Sequence, residues 1–163
     1  MHPPRHPIPF RRAATAAAAL LILAGCASAP KPLRGEWAAL QPQAAGDTDL
    51  GASVRWGGRV VEVRPDPEST CFDLIAQPLG SNGAPAGGDV SLGRFRACRA
   101  GFYDPALFAP NREMTFTGRL AAFDTARIGE REVRLPRLDA EVVFLWPERR
   151  EVDVIIDRRP FWW

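Results

Sequence analysis

Between residues 112 and 122 apolar and polar positions alternate strictly. Met114, Phe116, Gly118 and Leu120 take one side, and Glu113, Thr115, Thr117 and Arg119 the other. Successive side chains on a strand point to opposite faces, so this period of two predicts a half-buried β-strand. The same pattern predicts strands over 70–77, with Phe72, Leu74 and Ala76 inward, and over 92–99, with Phe95 and Ala97 inward. A short strand over 131–135 leads through Pro136 into a longer one over 138–146, with Leu138, Ala140, Val142, Phe144 and Trp146 inward. Residues 151–157 alternate again, as an edge strand at the C-terminal end.

The stretch 52–64 breaks the rule in an informative way. Val54 and Trp56 share one parity, Val61 and Val63 the other, and Gly57-Gly58 lies between them. A regular strand cannot change parity without turning its apolar side chains to the wrong face. A β-bulge at the glycines would add one residue, restore the inward face and bend the strand. A long bent strand suits the corner of a small closed barrel.

The connections complete the picture. Pro65-Asp66-Pro67-Glu68 is a turn, and 79–91 is a Gly-rich loop around Asn82-Gly83. Asp104-Pro105 has the form of a helix start, an Asp cap followed by Pro at the first helical position, and Pro110 ends that helix after about one turn. Three strands, a short helix and two further strands make an all-β chain with an OB-like five-stranded barrel, a small open sandwich being the alternative. The barrel domain covers 51–146, and 147–163 is a C-terminal edge strand or tail.

Register can be read for one strand pair. Cys71 and Cys98 both fall on the outward parity of neighbouring strands. Placing them opposite each other also places Asp73 against Arg96 and Leu74 against Phe95, so one register satisfies a charge pair and an apolar pair together. A disulfide there would close 26 intervening residues, worth roughly 3–4 kcal/mol on the chain-entropy account.

Ahead of the strands the pattern changes. Arg5, Arg11 and Arg12 precede an apolar run over 13–23 interrupted only by Thr15, and small residues follow. These are the three zones of a secretory signal over 1–25, and a run of eleven residues falls well short of the roughly 20 needed to span a bilayer. Leu23-Ala24-Gly25-Cys26 resembles a bacterial lipobox. The resemblance implies cleavage before Cys26, diacylglycerol on its sulfur and an acyl chain on its amine, which together exceed the two signals that stable anchoring takes. Ala27 and Ser28 follow with no Asp to retain the protein at the inner membrane, so the expected location is the outer membrane. The Ala-, Pro-, Gln- and Gly-rich stretch 26–50 reads as a lipidated, flexible tether.

Composition then changes the functional picture. The whole chain carries a formal charge of +2, but a mature chain from Cys26 keeps 18 basic and 19 acidic residues, near −1. That balance gives no reason to expect nucleic acid as a partner. His2 and His6 would leave with the signal, and with them the commonest general base and metal ligand. Sixteen prolines and fourteen glycines favour short strands and many turns over long helices.

Val54-Arg55-Trp56-Gly57-Gly58, Gln77-Pro78-Leu79, Ser91-Leu92-Gly93-Arg94-Phe95, Gly101-Phe102-Tyr103-Asp104-Pro105 and Leu145-Trp146 resemble the Slp family of outer-membrane lipoproteins, in the family's order. The resemblance implies an envelope lipoprotein linked to starvation or stationary-phase stress. It implies no catalytic residues, and it does not extend to Cys71 and Cys98.

Two other functional classes compete with a structural envelope lipoprotein. A binding module of OB type would use the outer face of the second and third strands. Asp73, Arg94, Arg96 and Arg99 lie there, near the loops 65–69 and 123–129, and the arginines suit an anionic envelope ligand such as a glycolipid. The opposing reading is a solvated charged face. An enzyme ranks last: the chain has no Gly-x-Ser-x-Gly elbow, Cys/His metal pattern or phosphate loop, and Asp139 and Glu141 suit an outward strand face better than a cleft. No catalytic residue, metal or non-covalent cofactor is therefore expected, and the partners are outer-membrane lipid with envelope proteins or glycolipids. The terminal Phe161-Trp162-Trp163 is apolar enough to fold back on the domain or sit at the membrane interface.

Overall fold

A computed structural model describes residues 28–148. The signal over 1–25, Cys26, the edge strand over 151–157 and the tail Phe161-Trp162-Trp163 lie outside the described residues.

Five strands carry the fold: β1 (Ser53–Pro65), β2 (Ser69–Ala76), β3 (Arg94–Ala100), β4 (Glu113–Ile128) and β5 (Arg131–Leu145). They hydrogen-bond into a closed ring in the order β1-β2-β3-β5-β4. Every pairing is antiparallel except β3 with β5. The short strand and the long strand expected on either side of Pro136 are one continuous β5.

The ring encloses the residues that the alternation selects. Val54, Trp56, Phe72, Leu74, Ala76, Phe95, Ala97, Met114, Phe116, Leu120, Leu138 and Ala140 are all buried in one cluster. Trp56 packs edge-on to Phe95 at 5.5 Å, Phe95 to Phe116 at 6.1 Å, and Phe116 meets Phe72 at 5.4 Å. This aromatic column runs through the core to the β3–β4 connection, where Tyr103 and Phe108 each close on Phe72 at 5.6 Å.

Register departs from expectation in β1 and in β5, and β4 carries a further slip at Ala121. In β1 the extra residue is Val61, because Val60 pairs Leu74 while Glu62 already pairs Asp73. The inward set is thus Val54, Trp56, Gly58 and Val60 and, beyond the bulge, Val63 as expected, and the glycines are not the bulge. They are there for space: a Cβ on Gly58 would lie 1.9 Å from the Ile75 carbonyl oxygen, and one on Gly57 2.8 Å from that of Met114. Gly58 pairs with β2 and β4 at once, at the point where β1 turns the corner. In β5 Glu141 is the extra residue, since Gly118 pairs Ala140 and Thr117 pairs Val142. That slip reverses the parity beyond it. Val143 and Leu145 pack on the core, whereas Phe144 and Trp146 stack at 4.6 Å, and Trp146 bonds to the outward Thr115.

The helix expected after Asp104 is a turn. The Asp104 carboxylate does accept the Ala106 N–H at 2.9 Å, and its carbonyl accepts from Leu107 and Phe108. Pro110 then disfavours helical backbone at Ala109, which leaves too few residues to continue.

The flexible tether over 26–50 is also corrected for its described part. Residues 28–50 wrap the ring as a strap with three one-turn 3₁₀ helices, Lys31–Leu33, Pro42–Ala44 and Asp47–Asp49. Leu33 is fully buried, a contribution of roughly 1.5–3 kcal/mol. The strap is also hydrogen-bonded along its length: Arg55 Nη1 donates to the Leu33 carbonyl at 2.9 Å, Ala38 N to Ser53 O at 2.8 Å and Gln43 N to Leu92 O at 3.0 Å.

Candidate functional site

The structure sets the four residues of the expected ligand face in two different surroundings. Asp73, Arg94 and Arg96 border one small cavity of about 230 Å³ on β2 and β3, whereas Arg99 lines a separate depression with Cys71, Cys98 and Asp139.

Most of that charge is already compensated. Arg96 donates Nε to Asp73 Oδ1 at 2.7 Å, Nη2 to Asp73 Oδ2 at 3.0 Å and Nη1 to Asp124 Oδ2 at 2.7 Å. Arg64 adds a second cation to Asp73 at 2.8 Å. The hydrogen bond to Asp73 is the main cause, outweighing burial, that raises the Arg96 pKa beyond its already high value. Arg99 Nη1 donates to the carbonyls of Ala140 and Glu141, the point where β5 slips register. Arg94 alone of the three arginines makes no hydrogen bond or ion pair among the described residues. Charge-assisted bonds of this kind hold strands together, and they leave little of the face open to an anion.

Cys71 and Cys98 stand opposite each other across β2 and β3, in the register that pairs Asp73 with Arg96 and Leu74 with Phe95. Their sulfurs are joined at 2.05 Å. Among the described residues no group of His, Cys, Asp and Glu side chains is placed to hold a metal ion.

A second site comes from residues to which sequence reasoning assigned no chemistry. The strap crosses the end of β1 and the exit of β2, and leaves a groove of about 590 Å³ beneath it. Gly35 and residues 37–42 form its outer wall, and Arg55, Trp56, Gly57, Ala76, Gln77, Pro78, Leu79 and Leu92 its inner one. Trp56 anchors the wall: its ring is buried in the core, and its indole Nε1–H donates to the Leu40 carbonyl at 2.7 Å. Gln77 N donates to Gly57 O at 2.9 Å and its side-chain Nε2 to Gly88 O at 3.0 Å. That second bond fixes which end of the amide is the oxygen. Gln77 is only 4% exposed, and its Oε1 has no hydrogen-bond partner among the described residues. Trp37, on the opposite wall, likewise carries a buried Nε1–H with no acceptor among the described residues. Both atoms are closed to solvent, so what makes the groove a candidate ligand site is its concave, largely apolar lining.

The signal for this groove was present but dispersed. Arg55, Trp56, Gly57, Gln77, Pro78, Leu79 and Leu92 belong to three of the motifs quoted above, far apart in sequence and adjacent here. Trp37 stands in a stretch without periodicity, so nothing local marked it.

Comparison with known proteins agrees with the motifs. The outer membrane lipoprotein Slp family matches residues 23–163. The uncharacterized lipoprotein YeaY of Escherichia coli (strain K12) is 30% identical over 114 residues, which are 67% of this chain. The chain spans 58% of the length of that relative. No solved structure matches. With the family match covering most of the sequence, the chain belongs to the outer membrane lipoprotein Slp family.

Proposed function

We propose that this outer-membrane lipoprotein is a non-enzymatic binding protein, anchored through Cys26, that offers the groove under its strap to a constituent of the envelope. The observation that carries this reading is the groove itself, about 590 Å³ between the strap and the ends of β1 and β2, with a largely apolar lining in which Arg55, Gln77 and Gln41 are the polar side chains besides the indoles. A catalytic role would need a nucleophile or a general acid and base in the groove, and its walls hold neither; Arg55 is the one ionisable side chain among them. The strand order and the parallel β3–β5 pair support describing the ring as an OB-like barrel, with its ligand site moved from the β2–β3 face to the end covered by the strap. An anionic ligand on the β2–β3 face is the second reading; Arg94, whose side chain is unpaired among the described residues, favours it, and the commitment of Arg96 to Asp73 and Asp124 weighs against it. A role in starvation or stationary-phase stress rests on the family resemblance alone.

The test is a thermal-shift panel of envelope glycans, peptides and anionic headgroups on the detergent-extracted lipoprotein, run beside Gln77→Leu. A compound that stabilises the natural protein and not the variant supports the groove. Stabilisation only by anionic headgroups, lost in Arg94→Ala and kept in Gln77→Leu, moves the site to the β2–β3 face. Intact mass of the same extract reports the anchor: a chain that begins at Cys26 with added acyl mass is expected.

A further inference from the structure

Resting on the anchorage through Cys26 proposed above, we infer that the barrel lies directly on the phospholipid surface of its membrane, through the face where the strap begins, with Lys31 and the Phe144–Trp146 pair at the level of the lipid headgroups. The first ground is chain length. Ser28 stands two residues beyond Cys26, and two residues span at most about 7 Å even when fully extended. Docked chain follows at once. Ala29 is 7% exposed and Leu33 is fully buried. Arg34 Nε donates to the Ala29 carbonyl at 2.7 Å, and the turn Lys31–Leu33 lies against β4 and β5. A lipidated Cys26 therefore has no slack with which to hold the barrel off the bilayer, whose headgroup layer is itself roughly 5–7 Å deep.

The second ground is what stands beside the docking point. A Cβ on Gly83 would lie 3.7 Å from the Cβ of Ala29 and 3.5 Å from Leu33 Cδ1. The Gly83 carbonyl accepts from Thr115 Oγ1 at 2.8 Å, and Thr115 Oγ1 accepts in turn from Trp146 Nε1 at 2.9 Å. Phe144 pairs with Thr115 across β4 and β5, and its ring meets that of Trp146 at 4.6 Å. The slip at Glu141 turns both rings outward, and both are only half-buried. Three successive contacts thus lead from the first docked residue to a pair of outward aromatic rings. Such rings, with an indole among them, are favoured at the boundary between headgroups and acyl chains.

The third ground is charge. Lys31 and Arg34 are exposed, and neither forms an ion pair among the described residues. Glu36 is the one acidic residue between 28 and 46. Long basic side chains this close to an anchor reach lipid phosphates while their stems lie along the apolar surface.

The experiment uses the full lipoprotein in vesicles of phosphatidylethanolamine and phosphatidylglycerol. Cys71 and Cys98 are joined, so with Cys26 acylated a single added cysteine is the one free thiol and takes a spin label. Pro147→Cys places the label next to Trp146, and Glu130→Cys places it at the tip of the β4–β5 hairpin; both positions are exposed. The label at 147 is expected to be at least about fivefold less accessible than that at 130 to an aqueous nickel reagent, and more accessible to oxygen, as at the headgroup boundary. Lys31→Glu is expected to raise the nickel accessibility at 147 at least about twofold, and only where phosphatidylglycerol is present. Water-like accessibility at both positions, on protein that floats with the vesicles, overturns the inference and leaves the anchor standing. A label at 147 that is shielded from both reagents reports a second copy or another protein on this face and overturns the lipid contact. An unchanged label in Lys31→Glu overturns the part assigned to that cation. Protein whose intact mass lacks acyl chains, and which does not float, overturns the anchor itself.

Discussion

Arg96 on β3 and Asp73 on β2 face each other as direct cross-strand partners and are joined by two parallel hydrogen bonds, at 2.7 Å and 3.0 Å. Arg96 carries the link onward to Asp124 on β4, so one guanidinium ties β2, β3 and β4. Both side chains of the first pair are close to seven-eighths buried, 13% and 12% exposed. Removing one partner would leave the other charge poorly solvated, which in partly buried pairs costs about 2–4 kcal/mol. Asp73→Ala is therefore expected to lower the thermal midpoint by roughly 10 °C, at a few degrees per kcal/mol for a domain of this size. A change of under 2 °C would show the face to be free for another partner.

The bond between Cys71 and Cys98 sits one pleat further along the same strand pair. It closes a segment that includes the long β2–β3 connection, so its loss should act mainly on the unfolded chain. Cys71→Ser with Cys98→Ser is expected to lower the urea unfolding free energy by about 3 kcal/mol while leaving the folded spectrum unchanged. Thiol labelling of the unreduced, unfolded natural protein should find neither residue reactive; two labelled cysteines would remove the bond from the account of stability.

What the sequence makes legible is the part governed by strict alternation. Met114, Phe116, Leu120, Phe72, Leu74, Phe95 and Ala97 were assigned inward from the period alone and are all buried. The slips are where reading stopped. A bulge adds one residue without any residue type that marks it, so Val61 was assigned inward and Phe144 and Trp146 were left on the wrong face. The conspicuous glycines drew the bulge to themselves, although their role is to let strands approach. The strap follows no regular element, so its 3₁₀ turns and its buried Leu33 have no period to find. The groove needs both the strap, with Trp37, and a strand exit, with Gln77, and no local period joins the two.

The close approach at Gly58 has its own consequence. A methyl group there would meet the Ile75 carbonyl oxygen at 1.9 Å, and backbone cannot yield as the end of a side chain can. Gly118 stands in the same relation to the Asp139 carbonyl at 2.1 Å. Gly58→Ala and Gly118→Ala are each expected to cost more than about 3 kcal/mol, the upper part of the range for overpacking, and to reduce soluble yield. Gly129, with open space around its missing Cβ and a positive φ of 60°, should lose only about 1 kcal/mol on the same change. Chemical unfolding of the three variants side by side separates steric conflict from conformational preference.

Trp56 joins the core to the strap, with its ring against Phe95 and its indole N–H on the Leu40 carbonyl. Trp56→Phe keeps an aromatic ring in the core and removes that hydrogen bond, leaving the Leu40 carbonyl to find water. The cost to global stability combines one lost hydrogen bond and a small cavity, about 2–3 kcal/mol. The local effect should be larger in proportion, because between the bonds of Ala38 to Ser53 and of Gln43 to Leu92 the Trp56 contact is the strap's side-chain tie to β1. Limited proteolysis under native conditions is expected to cut the variant within 36–42 at least tenfold faster than the natural protein, while cleavage inside β4 stays slow, since local opening exposes the strap and leaves the ring closed. Equal cleavage rates would mean that the strap is held by Leu33 and by its main-chain bonds alone.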